Sequence, residues 1–459
     1  MARRVGATPF PIDSDHGFLD DTARLSPGAL ILIRHRRRAL RPDLDILDDR
    51  CLMTILAPVQ VVHAYGLDAV TVGINGTVVQ GDGAGQTIAV VVAYHDPYLA
   101  NDLNAFDSAF GLATPSLSQV NLAGGATDDG WAGEETLDVE WAHAIAPGAR
   151  IIAVEAASTN LSDMLNAINV ARNIPGVSVV SMSWGLPEFS SETSLDPYFT
   201  TPAGHTGITF VTASGDSGTR AGAEWPASSA NVLGVGGTTL YLDATSNNIG
   251  EAVWHGSQGG LSSYTAEPSY QAGVQSTGRR SSPDVAFDGD PNTGVIVYTT
   301  TPSNGQGTWS QVGGTSLGSP AWAGIIAIAD EARATIGLTS LDGPSQTLPI
   351  LYALPASDFH KVGSRTSTGL GTPNGPAFVY GLAYNATTIT PKTITGTPTP
   401  TTPITTTPGN GGRGRRGRRF DEPAIVTRTA NVPTTRPAQA ASVHDATLEA
   451  LSRGYRKKA

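Results

Sequence analysis

The stretch EETLDVEWAHAIAPGARIIAVEAASTNLSDMLNAINVARNIPGVSVVSMS, Glu134 to Ser183, carries the reading of the fold. Glu134–Ile145 has helical spacing and stops at Pro147-Gly148. Arg150–Val154 is a short apolar run, Leu161–Arg172 returns to helical spacing, and Ser178–Ser183 is a second run. Outward from this stretch, Ile88–Val92 is a continuous apolar run between Gly85 and the Asp96-Pro97 turn, as a strand buried on both faces should be. Ile208–Ala213 and Val232–Val235 add two more strands. Strands alternating with helices predict an α/β fold with a parallel sheet and helices on both faces. Functional side chains then belong beyond the carboxyl ends of the strands.

The bulk numbers narrow the classes. The chain has 459 residues and a formal net charge of −11, unevenly spread. Residues 55–384 hold eight of the 29 Lys and Arg, while the last 75 residues hold twelve against four acids. The middle is acidic and the ends are basic, so nothing favours nucleic acid as a substrate. Cys51 is the single cysteine, which excludes an intramolecular disulfide framework and a multi-cysteine metal site. No run approaches the roughly 18 apolar residues that a membrane span needs.

Composition also sets the boundaries. Residues 1–54 read as a leader or a basic N-terminal arm, with Leu30–Ile33 ahead of Arg34-His35-Arg36-Arg37-Arg38. That order reverses the usual secretory signal, although Leu44–Met53 resembles a leader end of exported bacterial proteins. Residues 55–385 are the core domain. Residues 386–440 are Thr/Pro-rich and then Gly/Arg-rich, a linker without a core. Residues 441–459 form a basic tail with a candidate short helix over Ser442–Lys458. Both termini are expected to be disordered, and the tail to suit attachment to an acidic cell surface.

The chemistry centres on Gly313-Gly314-Thr315-Ser316-Leu317-Gly318-Ser319-Pro320, after a strand at Thr308–Val312 and before an apolar helix at Ala321–Ala334. A serine there stands at a helix N-terminus, where free N–H groups can stabilise a developing oxyanion. The stretch matches G-x-S-x-G, the nucleophile elbow of α/β-hydrolases. That reading makes the protein an esterase using Ser316 and His360, with an acid such as Asp342. A subtilisin-type triad has no support, since Val92 stands where an Asp is needed and no His-Gly-Thr-His-like segment exists.

Three separated segments resemble the sedolisin (serine-carboxyl peptidase) family across roughly residues 55–385. They are Gly133–Glu140 followed by Ala146-Pro147-Gly148-Ala149, then Ser214-Gly215-Asp216-Ser217-Gly218, then Gly313–Pro320. Shorter matches are Ser181–Gly185, Pro226-Ala227-Ser228, Gly236-Gly237-Thr238 and Pro283-Asp284-Val285. The resemblance implies a subtilisin-like fold and a serine endopeptidase that works through an acyl-enzyme at acidic pH. It implies Ser316 as nucleophile, Glu134 as base, Asp138 as the carboxyl that orients it, and Asp216 in the oxyanion hole. Ser183, Trp184 and Gly185 then line the cleft for an extended peptide. Glu134 and Asp138 stand at i and i+4, so both project from one helix face. The expected partners are polypeptides, the expected state a secreted or cell-surface monomer. The competing function is a catalytically weak surface protein that binds peptides.

Three departures qualify the resemblance. Lys361 and Arg365 fall where two calcium carboxylates are implied, so the expectation is no cofactor, with fixed cations, paired to an acid such as Asp358, replacing the metal. Val92 stands at a strand end where many relatives carry an acid. A long folded prodomain is implied, whereas residues 1–54 precede this core, which puts self-activation in question.

Overall fold

The computed structural model describes residues 55–384 apart from Asn75 and Pro115. The leader, the linker and the tail expected from the sequence lie outside the described residues.

Eight strands form one sheet. They are β1 (Thr87–Ala93), β2 (Ser116–Asn121), β3 (Arg150–Ala156), β4 (Val179–Met182), β5 (Thr209–Ala213), β6 (Val232–Leu242), β7 (Asn248–Val253) and β8 (Val285–Asp288). Their order is β7-β6-β5-β4-β1-β3-β2, with β8 also pairing β6. Every pairing is parallel except β6 with β7. All seven residues of β1 are buried, which accounts for the unbroken apolar run of that segment. The register sets Val92 of β1 opposite Glu155 of β3.

Helices cover both faces, as the alternation predicts. One face packs α1 (Leu99–Phe110), α2 (Asp129–Ile145) and α4 (Thr315–Thr335) against Ile88, Val90, Ile151 and Val211. The other packs α3 (Leu161–Asn173) against Ala89, Val91, Ile152 and Met182. Removing side chains such as Ile325, Ile326 and Ile328 of α4 from water contributes roughly 1.5–3 kcal/mol each. The buried indoles of Trp141 and Trp322 donate to the carbonyls of Ile296 and Ala286, both at 3.0 Å, so neither leaves an unpaired N–H in the core.

Two helices begin earlier than their apolar pattern indicates. The Asp128 side chain accepts from the N–H groups of Gly130 and Trp131, which starts α2 at Asp129. The strand after Gln306 runs to Val312, in an antiparallel hairpin of β9 (Val295–Thr301) and β10 (Gln306–Val312). α4 follows almost at once, so Ser316 is the second residue of the helix rather than part of a turn before it.

Candidate active site

α2 and α4 lie close because Gly324 has no side chain. A Cβ there would sit 2.7 Å from Cγ2 of Ile145. The approach brings the start of α2 to the start of α4, beside the carboxyl ends of β4 and β5, where the parallel sheet opens.

Ser316 is half-buried, and its hydroxyl lies against the carboxyl of Glu134. Burial pushes the Glu134 carboxyl up, and the charge of Asp216 adds to it, while the bond from Ser316 pulls the other way. Asp138, one turn further along α2, is fully buried. Burial and then repulsion by Glu134 push it well above the ordinary carboxyl range, against a lowering bond from Ser183. Glu134 and Asp138 each keep one oxygen without a hydrogen-bond partner among the described residues. Two carboxyls so close in a dry site hold one proton between them at far higher pH than isolated acids do.

Ser183 Oγ donates to Oδ1 of Asp138 at 2.6 Å and lies 3.2 Å from the carbonyl oxygen of Ser316. Pro320 explains why that carbonyl is available. It stands four residues after Ser316 inside α4 and has no N–H to close the helical bond.

Asp216 sits on the exposed loop after β5, beside the N-terminus of α4. Its Oδ1 accepts from the N–H and from the hydroxyl of Thr315, both at 2.8 Å. Gly314 makes that approach feasible: its φ is 114°, and a Cβ there would meet Oδ2 of Asp216 at 2.8 Å. Glu134, Asp138, Ser183, Asp216 and Ser316 are thus brought together. Trp184 is half-buried, with Nε1 donating to the carbonyl of Val91 at 3.1 Å and its ring packed near Trp225. Gly185 is exposed on the same rim, and a Cβ on it would meet the carboxylate of Glu224 at 3.0–3.1 Å.

Two groups went unnoticed in the sequence. Glu224 fills the space that Gly185 and Gly215 leave, and burial followed by repulsion from Asp216 raises its carboxyl. Glu155, on the face of β3 toward α2, is fully buried and hydrogen-bonded to His95 and Gln119, with the carboxyl of Glu135 nearby. A carboxyl at the end of an apolar strand gives no local signal, because its partners come from three distant segments.

His360 and Asp342 are not brought together. His360 lies beside Glu251, and Asp342 takes the hydroxyls of Thr201 and Ser345 while capping the turn at Gly343–Thr347. Residues 358–371 do not fit a calcium ion. Lys361 is exposed and Arg365 half-buried, bringing cations where oxygen ligands are needed. Among the described residues no group of three or more His, Cys, Asp or Glu could hold a metal, and no ion pair joins either cation to Asp358.

The chain matches the family model described as "Subtilase family" over residues 122–344. It is 31% identical over 342 residues to sedolisin of Pseudomonas sp. (strain 101), covering 66% of this chain and 54% of that protein. It is 30% identical over 361 residues to kumamolisin of Bacillus sp. (strain MN-32), covering 68% of this chain and 62% of that protein. The chain therefore spans little more than half the length of these relatives. Among solved structures, Pseudomonas sedolisin, a serine-carboxyl proteinase complexed with two molecules of pseudo-iodotyrostatin, superposes with a TM-score of 0.60. That match has 26% identity and covers 70% of this chain and 95% of that one.

Proposed function

We propose, because this chain belongs to the sedolisin family of serine-carboxyl peptidases, that it is an endopeptidase in which Ser316 attacks the peptide carbonyl and Glu134 takes its proton. The observation that carries the reading is the Ser183 hydroxyl, which donates to buried Asp138, one turn from Glu134, at 2.6 Å and lies 3.2 Å from the carbonyl oxygen of Ser316, so that serine and carboxyl pair share one buried site. A serine hydroxyl is a poor nucleophile until a base within hydrogen-bond reach removes its proton.

In the first step the Ser316 proton passes to Glu134 as the oxygen bonds to the carbonyl carbon. The negative charge that builds on the substrate oxygen meets Asp216 and the N-terminus of α4. Glu134 then returns the proton to the leaving amine, which leaves an ester on Ser316. Water attacks that ester with Glu134 again taking its proton, Glu134 passes that proton to the departing Ser316 oxygen, and the second product leaves as an acid. Asp138 keeps Glu134 oriented and holds the proton the pair shares, as a carboxylate supports a histidine in other triads.

Asp216 can donate a hydrogen bond to an oxyanion only while protonated. Glu134 must at the same time be ionised. The first demand favours acid, so the proposed optimum is acidic, and the upward push of burial on Glu134 limits how far into acid the base stays ionised. Ser183, Trp184 and Gly185 are assigned to the cleft, where an extended substrate segment would lie along exposed backbone. A location outside the cytoplasm, with the basic tail on an acidic surface, and independence from calcium belong to the same reading.

The deciding assay is digestion of casein by the full chain between about pH 2 and about pH 8, beside Ser316→Ala. Hydrolysis that peaks in acid and disappears in Ser316→Ala supports the proposal. An optimum above neutrality counts against the carboxylate base, and full activity in Ser316→Ala eliminates it.

A further inference from the structure

The two carboxyl oxygens of Asp216 are not equivalent, and one residue makes the difference. Thr315, the first residue of α4, is 1% exposed and faces the loop after β5. Its hydroxyl oxygen accepts from the N–H of Gly215 at 3.1 Å. Its own proton goes to Oδ1 of Asp216 at 2.8 Å, and the Thr315 N–H donates to the same oxygen at 2.8 Å. Oδ1 therefore takes two donors, whereas no donor among the described residues meets Oδ2. A protonated carboxyl has one carbonyl oxygen, which accepts, and one hydroxyl oxygen, which donates. Two donors converging on Oδ1 mark it as the carbonyl oxygen. The proton that Asp216 needs in order to donate then sits on Oδ2.

We propose that Thr315 is a positioning residue for the Ser316 reaction: its hydroxyl and N–H hold Oδ1 of Asp216, so that Oδ2 presents its proton to the oxygen of the attacked carbonyl. Asp216 keeps that proton throughout, donating a hydrogen bond and transferring nothing. The inference rests on the serine-peptidase reading of Ser316.

The place where Oδ2 ends fits this role. A Cβ on Gly314 would lie 2.8 Å from Oδ2 of Asp216 and 3.8 Å from the nitrogen of Ser316. The space that this glycine keeps clear is thus bordered by the proton-bearing oxygen and by an N–H of the first turn of α4. Such an N–H has no acceptor within its helix. Two donors aimed at one spot beside the nucleophile suit an oxygen that gains negative charge. The loop is fixed from its far side as well. Gln258 N donates to the Gly215 carbonyl at 2.9 Å, Ser217 N to Gln258 Oε1 at 3.2 Å, and Gly218 N to the Gly256 carbonyl at 2.8 Å. With the backbone on both sides of Asp216 held, the rotation of its carboxyl is left to Thr315. The Thr315 hydroxyl has one proton, so while it holds Oδ1 it cannot itself serve the substrate.

Thr315→Val keeps the shape of the side chain and removes the hydroxyl, and Thr315→Ser restores it. A peptide aldehyde that forms a hemiacetal with Ser316 places an oxygen where the oxyanion forms, so its inhibition constant reads Asp216, while KM reads ground-state binding. Thr315→Val should weaken aldehyde inhibition roughly tenfold and lower kcat to a similar extent, with KM within roughly twofold of wild type. Thr315→Ser should return both toward wild type. In Asp216→Ala there is no carboxyl to hold, so adding Thr315→Val should cost no further aldehyde affinity. A structural role alone would move KM together with the aldehyde constant and would add to the damage in Asp216→Ala. Asp216→Asn gives a second reading on the exposed loop, with the buried helix start untouched. Its amide oxygen can take both Thr315 donors while its NH2 replaces Oδ2, so it should lose less aldehyde affinity than Asp216→Ala. Unchanged aldehyde inhibition in Thr315→Val, a full further loss in the Asp216→Ala background, or equal losses in Asp216→Asn and Asp216→Ala would each overturn the proposal. A wild-type chain that neither cuts peptides nor binds the aldehyde fails the serine-peptidase reading, and the proposal falls with it. A chain that does both yet ignores Thr315→Val fails the proposal alone.

Discussion

The hydroxyl of Ser183 donates to Oδ1 of Asp138 at 2.6 Å, a bond made to a fully buried carboxyl. The same oxygen lies 3.2 Å from the Ser316 carbonyl, so one side chain ties the acid behind the proposed base to the backbone of the proposed nucleophile. A hydroxyl has one proton, and the shorter distance gives it to Asp138. Ser183→Ala should leave the fold intact and lower kcat roughly tenfold to a hundredfold, with KM little changed. Because the bond favours ionised Asp138, its loss should also move the alkaline limb of the pH profile upward. An unchanged kcat in a folded variant would remove Ser183 from the machinery.

Glu134→Gln keeps the size of the side chain and its contact with Ser316 but cannot accept the proton in the reaction. Activity on casein should fall at least roughly a hundredfold at every pH. Asp138→Asn keeps the Ser183 contact and removes the shared proton, so its loss should be greatest where the wild type is most active. A Glu134→Gln variant that still hydrolyses peptides at a wild-type rate would require a different base, and His360 beside Glu251 is not placed to be one.

Much of this was legible in sequence because it is local. Ser316 precedes an apolar helix, and Glu134 and Asp138 are one turn apart, a spacing that survives any tertiary arrangement. The alternation that gives the parallel sheet is likewise carried by short segments such as Ile88–Val92. The helix starts were displaced because Gly130 and Gly133 look like breaks, whereas the Asp128 cap makes them the first turns of α2. Ser183 was legible as a residue at the end of a strand, but its bond to Asp138 is not, being 45 residues distant in the chain. Glu155 was hidden for a related reason. Its meaning comes from the β1–β3 register and from α2 above it, neither of which leaves a mark near residue 155.

The proposed independence from calcium has a consequence for stability. Lys361 and Arg365 repel a divalent ion from residues 358–371, so EDTA should leave the melting temperature of full-length Ser316→Ala unchanged, and added calcium should not raise it. Binding to the folded state alone would raise stability as the ligand concentration climbs, which makes the calorimetric comparison sensitive. A clear fall in Tm with EDTA would show that oxygen ligands elsewhere in the chain hold the metal.

Arg280 and Asp284 form an ion pair at 2.6 Å with both side chains fully buried. Arg280 also donates to the carbonyls of Ala227, Ser229, Ser281 and Val232, so one guanidinium closes the backbone around the start of β6. Arg280→Leu would leave Asp284 as an unpaired buried charge together with several unpaired carbonyls. The expected loss is about 3–5 kcal/mol, enough to unfold many domains. Urea melts of Ser316→Ala with and without Arg280→Leu measure it, and a loss under about 1 kcal/mol would mean that water reaches the site.

The buried acids away from the proposed catalytic pair set a direction for the dependence of stability on pH. Burial raises the carboxyls of Asp96 and Asp107 to about 7, and Glu140, Asp288 and Asp330 lie well above their ordinary range for the same reason. A group whose folded value is raised contributes fully below the unfolded value of about 4, and that contribution is lost as pH rises through the folded value. His143 acts in the opposite sense, since burial lowers it to about 4 and the unfolded chain takes up its proton first as pH falls below 6.5. Several carboxyls outweigh one imidazole, so the Tm of Ser316→Ala should be highest in mild acid and fall between about pH 5 and about pH 8. Asp107 has neither carboxyl oxygen hydrogen-bonded and lies 3.4 Å from Nε2 of His143, so Asp107→Asn removes a group whose ionisation near neutrality has little to compensate it. That substitution should flatten the fall, and a Tm that instead rises toward neutrality would show that these carboxyls are ionised in the folded protein.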